Sequence, residues 1–158
     1  MHLHDPPARG PTGDGALDAP GDPRCTCFLL RRAARRVTQL YDDRLRPLGL
    51  RTTQYSLLAV LRGAESIALG ELAARMSMDR TTLTRNLKPL SDAGWVAAVA
   101  DPADRRRTRL ALTPSGRATL RAAVPVWREA QRVLREQVGD AAVRSLHDAI
   151  DDTLEHLE

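Results

Sequence analysis

The sequence predicts a mainly α fold with a small β-hairpin, and three observations carry that expectation. Apolar residues recur at helical spacing through most of the chain from Cys25 onward. The pattern switches to alternation over 95–100 and again over 107–112, around the turn-forming stretch "DPADRR". Gly94 on one side of that switch and "TPSG" on the other supply a helix stop and a helix start. With 158 residues, 42% of them hydrophobic but only 3% aromatic, one modest aliphatic core is expected.

Residues 1–23, "MHLHDPPARGPTGDGALDAPGDP", are rich in Pro, Gly and Asp and poor in large apolar side chains. Such a segment cannot offset its ordering entropy by burial, so it is expected to be a disordered tail ahead of a domain over 24–158. A long first helix follows, with Leu30, Ala33, Ala34, Val37, Leu40, Tyr41, Leu45 and Leu48 at helical spacing and Arg31, Arg32, Arg35 and Arg36 on another face. Pro47 and Gly49 interrupt it. A second helix, opened by Thr52 or Thr53, carries Tyr55, Leu58 and Leu61 to Gly63, and a short third carries Leu69, Leu72, Ala73 and Met76.

After the turn "MSMD", Asp79 is placed to cap a fourth helix whose apolar side is Leu83, Leu87 and Leu90. Thr81, Thr84, Arg85 and Lys88 share the opposite side. Pro89 lies inside this helix, where the lost backbone bond and the ring clash predict a kink or break over 85–89. Gly94 ends it, and the hairpin brings Arg105 and Arg106 near its tip. Thr113 caps a fifth helix with Leu120, Val124, Trp127, Leu134 and Val138; after "GD" a sixth carries Val143, Leu146, Ile150, Leu154 and Leu157. The outer helices, about 24–48 and 114–157, are too apolar along one stripe to stand alone in water, which predicts a homodimer built from them.

Lys and Arg total 24 against 20 Asp and Glu, a formal net charge of +4 that favours an anionic partner. All but one of the cations are arginines, Lys88 being the exception, and the arginine fork suits phosphates and guanine edges. No apolar run reaches the ~18 residues that span a bilayer, so no membrane association and a cytoplasmic location are expected. Two cysteines separated by one residue are expected as thiols.

A helix, a tight turn, a second helix with a polar exposed face and then a basic hairpin form the order of a winged helix-turn-helix, here over about 52–113. Threonine hydroxyls, Arg85 and Lys88 on one helix face have the chemistry to enter a major groove of double-stranded DNA. An arginine-tipped hairpin beside it would reach a minor groove.

The sequence resembles the MarR (multiple antibiotic resistance regulator) family of dimeric bacterial transcription factors over 25–158. The family's wing pattern, Asp-x-Arg-Asp-x-Arg then Leu-x-Leu-Thr-x-x-Gly, is met by Asp101, Asp104, Arg106, Leu110, Leu112, Thr113 and Gly116. Ala103 stands where the pattern has its first arginine, with Arg105 as a candidate to compensate. The resemblance implies that Asp104 braces the wing and Arg106 enters the minor groove. It also implies that Arg80, Thr81, Thr82, Thr84 and Arg85 face the major groove of a pseudo-palindromic operator, and that the protein is a repressor released by an effector.

One branch of the family senses organic hydroperoxides through a cysteine near the start of the first helix, and "CFLLRRAARRVTQLY" resembles it at Cys27, Phe28 and Tyr41. Arg31 and Thr52 replace that branch's assisting tyrosines. The preferred reading is a small aromatic or carboxylated ligand held near Tyr41 and Tyr55, with the thiol sensor as its alternative. From another class, a winged helix also serves as an RNA-binding or protein-docking module. His2, His4, Cys25 and Cys27 match no compact metal-ligand spacing, and no phosphate loop, zinc-helix signature or cysteine–histidine pairing points to an enzyme, so neither a cofactor nor catalysis is expected.

Overall fold

The computed structural model describes residues 25–101, 103–104 and 108–157. The order is α1 (Thr26–Leu45), a 3-10 turn (Arg46–Leu48), α2 (Thr52–Arg62), β1 (Ile67–Ala68), α3 (Leu69–Arg75), α4 (Arg80–Asp92), β2 (Val96–Ala100), β3 (Thr108–Leu112), α5 (Pro114–Val138) and α6 (Asp140–Leu157). The chain divides into two compact units, one ending at Arg36 and the other running from Val37. The predicted tail over 1–23 lies outside the described residues.

In the first unit α1 begins at Thr26, and Phe28, Leu29 and Leu30 are exposed together with Arg31, Arg32, Arg35 and Arg36. The second unit takes over within the same helix, where Tyr41 and Leu45 are buried. Pro47 and Gly49 end α1 as expected, Gly49 adopting φ +69°, a left-handed conformation that costs glycine little.

The start of α2 differs from expectation, because Arg51 rather than a threonine is its N-cap. Thr52 is the first helical residue, and both its backbone N–H and its hydroxyl donate to the Asp42 carboxylate of α1, at 2.7 and 2.6 Å. A first-turn N–H that lacks an intrahelical acceptor is therefore satisfied by a side chain ten residues upstream. Leu57, Leu58 and Leu61 of α2 join Leu45, Leu50, Ile67, Leu72, Leu83, Leu90 and Leu120 in an almost fully enclosed aliphatic core.

Three strands, not two, form the sheet, in the order β1-β3-β2 and antiparallel throughout. Val96 pairs with Leu112 and Ala100 with Thr108 across the hairpin, while Ile67 pairs with Leu110 on the other side of β3. β1 is only two residues long, too short to show an alternating pattern in sequence.

The hairpin is fixed to α5 by one hub. The Thr113 hydroxyl accepts from Gly116 N–H at 3.0 Å and donates to the Gly94 carbonyl at 2.7 Å, while Thr113 N–H donates to the Trp95 carbonyl at 3.1 Å. Gly116 is packed so closely that a Cβ there would lie 2.1 Å from the Trp95 carbonyl oxygen. Thr113 and Gly116 of the wing pattern thus have a packing reason: only a residue without a side chain lets α5 start against the root of β2.

Pro89 does not break α4. The helix runs without interruption from Arg80 to Asp92 and ends in Gly94 at φ +70°. Pro89 is exposed, so the Arg85 carbonyl that loses its partner stands on the wet side, and the buried Leu87 and Leu90 hold the helix to the core on either side of the ring.

Candidate nucleic-acid interface

The fourth helix starts where the turn before it makes it start. Ser77 adopts φ +47° after α3, Met78 N–H returns to the Ala73 carbonyl at 2.9 Å, and Asp79 then takes the N-cap. The Asp79 carboxylate accepts from Thr82 N–H at 2.9 Å and from the Thr82 hydroxyl at 2.6 Å. These bonds, the hydroxyl's first, hold the Asp79 carboxyl below its usual range.

From that start, Leu83, Leu87 and Leu90 turn inward and are buried, and the polar residues turn out. Arg80, Thr81, Thr84, Arg85 and Lys88 line one shallow exposed groove. Within it the exposed Thr84 donates its hydroxyl proton to the Arg80 carbonyl at 2.7 Å, which leaves the oxygen able to accept. The Arg80 guanidinium lies over Gly70 at the start of α3, 3.3 Å from where a Cβ would stand. Lys88 reaches Asp92 at 2.9 Å, an exposed i,i+4 pair of small worth that is readily exchanged for another anion. Arg85 makes no salt bridge among the described residues. Thr82 is the predicted residue that stands apart: its hydroxyl is committed to the cap, and it does not line the groove.

At the wing, Arg105 and Arg106 lie outside the described residues. What is described is the wing's root. Asp101 accepts from Ala103 N–H at 2.8 Å and from Arg109 at 3.3 Å, and these partners, the Ala103 N–H foremost, hold its carboxyl below the usual range. Arg109 also donates to the Ser66 hydroxyl at 2.9 Å and the Ser66 carbonyl at 2.8 Å. No local sequence pattern singles out Arg109, because its partner Ser66 is 43 residues away. Asp104 is partly buried.

Tyr41 and Tyr55 are both buried, and burial raises the pKa of each phenol, opposed by Arg135 at Tyr41 and by Arg62 and Arg128 at Tyr55. Tyr55 stacks on Trp127 with ring centroids 5.7 Å apart and planes 14° from parallel. Trp127, Arg128, Arg132 and Arg135 line an open cavity of about 500 Å³ along α5; neither tyrosine lines it, and Tyr55 reaches it only through its stack on Trp127. Arg132 pairs with Glu129 and Glu136. Cys25 and Cys27 are free and exposed, and no cluster of metal-ligating side chains exists among the described residues. Nor is any described helix long and apolar enough to cross a membrane.

A buried-leucine helix with a cationic, hydroxyl-bearing outer face, set after a helix and turn and followed by a β-hairpin, defines a winged helix-turn-helix protein. Residues 48–107 match a family model described as the MarR family. The chain is similar to the Mycobacterium tuberculosis transcriptional regulator MosR, solved in complex with DNA, at 43% identity over 85% of this chain and 98% of that one, with a TM-score of 0.71. A mutant MarR from Escherichia coli complexed with operator DNA is 27% identical over 80% of this chain and 91% of that one, with a TM-score of 0.73. The multiple antibiotic resistance protein MarR of Salmonella typhimurium is 33% identical over 90 residues, 57% of this chain. The matched segment spans 62% of that curated relative's length. The chain belongs to the MarR family, and the relatives named here are regulators of transcription rather than enzymes.

Proposed function

We propose that this protein is a transcriptional repressor that binds a pseudo-palindromic operator in duplex DNA as a homodimer. The observation that carries the reading is the outer face of α4, where Arg80, Thr81, Thr84, Arg85 and Lys88 converge on one groove while the opposite face is buried. Arg85 has the fork to take guanine O6 and N7 together, Thr84 offers a methyl group to thymine and lone pairs to a base amine, and Arg80, Thr81 and Lys88 hold phosphates. Arg106 acts from the wing through the narrow minor groove, by shape and charge rather than by base identity, and Asp104 braces that wing. MosR and a mutant MarR, both solved in complex with DNA, support DNA as the partner.

The dimer is supported by what α1 and α6 leave uncovered. Leu146, Ile150, Leu154 and Leu157 recur on α6 at helical spacing and are exposed, as are Phe28, Leu29 and Leu30 at the start of α1. Two half-sites about one helical turn apart would then lie on one face of the duplex.

Release follows from a small aromatic carboxylate in the α5 cavity, where Trp127 offers a ring face and Arg128 and Arg135 offer charge beside the buried Tyr55 and Tyr41. The exposure of Cys25 and Cys27 favours a second route, in which Cys27 in the first turn of α1 is oxidised by an organic hydroperoxide. A gel-shift assay at moderate salt tests the class: sheared genomic duplex from the source organism retains salt-resistant complexes that structured RNA of equal length does not. Equal retention of both would replace the reading with a general nucleic-acid or protein-docking module. Adding benzoate-class acids, or hydroperoxide to wild type and Cys27→Ser followed by reductant, separates the two release routes.

A further inference from the structure

Arg109 occupies the middle of the three-stranded sheet, opposite Val99 of β2 and Ala68 of β1. Its guanidinium is held by three hydrogen bonds: the Nη1 group donates to Asp101 Oδ2 at 3.3 Å, Nε to Ser66 Oγ at 2.9 Å, and Nη2 to the Ser66 carbonyl at 2.8 Å. The two side chains of the Arg109–Asp101 pair are 25% and 15% exposed, whereas every other ion pair between described residues is at least 45% exposed on both sides. One planar fork thus ties together three separate pieces of chain. Asp101 is the first residue after β2, on the outgoing arm of the wing; Arg109 is on the returning arm; Ser66 is the corner between α2 and the edge strand β1.

We infer that Arg109 is the positioning residue of the wing: it makes no contact with DNA itself but fixes the direction in which the hairpin leaves the sheet, and so where Arg106 arrives. The physical reason is the geometry of a hairpin. Beyond Ala100 and Thr108 the two arms have no further ladder partners among the described residues, so their angle to the sheet is set by whatever holds the root. A guanidinium with three acceptors in fixed directions holds it more narrowly than a single ammonium can. Because Ser66 follows α2 in the chain, the same bonds register the wing against the support of the recognition helix rather than against solvent. The inference rests on the proposed minor-groove role of Arg106, and its test is arranged so that the two can fail separately.

The first arm uses the free protein. Amide hydrogen exchange is measured for wild type, Arg109→Ala, Arg109→Lys and Asp101→Asn, the last two preserving size so that a folded lobe is available. Faster exchange confined to Val99, Ala100 and Thr108, with Leu83, Leu87 and Leu90 of α4 unchanged, is expected for Arg109→Ala, and an intermediate effect for Arg109→Lys. Unchanged exchange at the wing root, or acceleration spread equally through α4, overturns the inference in favour of no role or a general stability role.

The second arm is a double-mutant cycle with Arg106→Ala, read as affinity for a duplex selected from source-genome fragments. Arg109→Ala is expected to weaken binding roughly tenfold in the native background and less than twofold when Arg106 is already absent, because a misdirected wing has nothing left to lose. Equal losses in both backgrounds overturn the inference. Should Arg106→Ala alone leave affinity unchanged, the minor-groove reading fails, and the exchange measurement still decides the role of Arg109.

Discussion

The recognition lobe and the sixth helix are both amphipathic helical structure, yet they end in opposite states. In α4, Leu83, Leu87 and Leu90 lie on one stripe and are 0 to 5% exposed. In α6, Leu146, Ile150 and Leu154 lie on an equivalent stripe and are 42, 36 and 54% exposed, with Val143 the helix's one buried residue. The same sequence periodicity therefore marks a face the chain covers by itself and a face it does not. The difference teaches that amphipathicity reports a demand for burial and leaves open which surface meets it. For α4 the surface is intramolecular, and for α6 the proposed surface is a second copy.

The sharpest way to break the contrast is at the lobe's tightest point. Gly116→Val places a Cβ where the Trp95 carbonyl already stands, and is expected to cost roughly 4 kcal/mol or more, enough to leave the lobe unfolded at 37 °C in thermal melts. A melting temperature within a few degrees of wild type would show that α5 and β2 move apart cheaply.

The converse change strikes α6. Ile150→Asp is expected to leave the lobe's near-ultraviolet spectrum and melting essentially intact while weakening self-association by about 2 kcal/mol or more in sedimentation equilibrium. Loss of lobe structure instead, with the dimer retained, would mean that α6 is part of the monomer core.

The smallest effect concerns the start of α4. The Asp79 carboxyl is held below its ordinary value of about 4 in the folded protein, so its contribution is present above that pH and fades as pH falls through the lowered value. Asp79→Ala is thus expected to lower the melting temperature at pH 7 and to converge with wild type under strongly acidic conditions. A pH-independent difference between the two would assign the effect to something other than the carboxylate.

Much of the lobe was legible because its signals are local. Asp79 before a helix, Gly94 after one and Thr113 before Pro114 each announce a boundary within four residues, and each boundary is found within a residue of where it was expected. The α4 face was legible for the same reason, since helical spacing alone places Thr81, Thr84, Arg85 and Lys88 together.

The misses are of longer range. The first N–H of α2 is met by Asp42, ten residues before it; β1 is too short to show a pattern until β3 pairs with it; and Arg109 finds Ser66 across 43 residues. The break that Pro89 could have caused is absent, its local cost being outweighed by the buried Leu87 and Leu90 on either side of it. The bond of the Thr82 hydroxyl to Asp79 adds a capping role beside the groove-facing one that the family pattern implies.

The central claim is that the outer face of α4 reads sequence, and base-by-base binding of Arg85→Ala tests it most directly. Fluorescence anisotropy would compare wild type and variant on a selected duplex, on single-base variants of each half-site and on an unrelated duplex, across a salt series. A loss of discrimination of about 1–3 kcal/mol is expected at one base pair per half-site, with affinity for the unrelated duplex changed far less. A loss of the same size on every duplex would make Arg85 a phosphate contact, and no loss on any would remove α4 from the interface altogether.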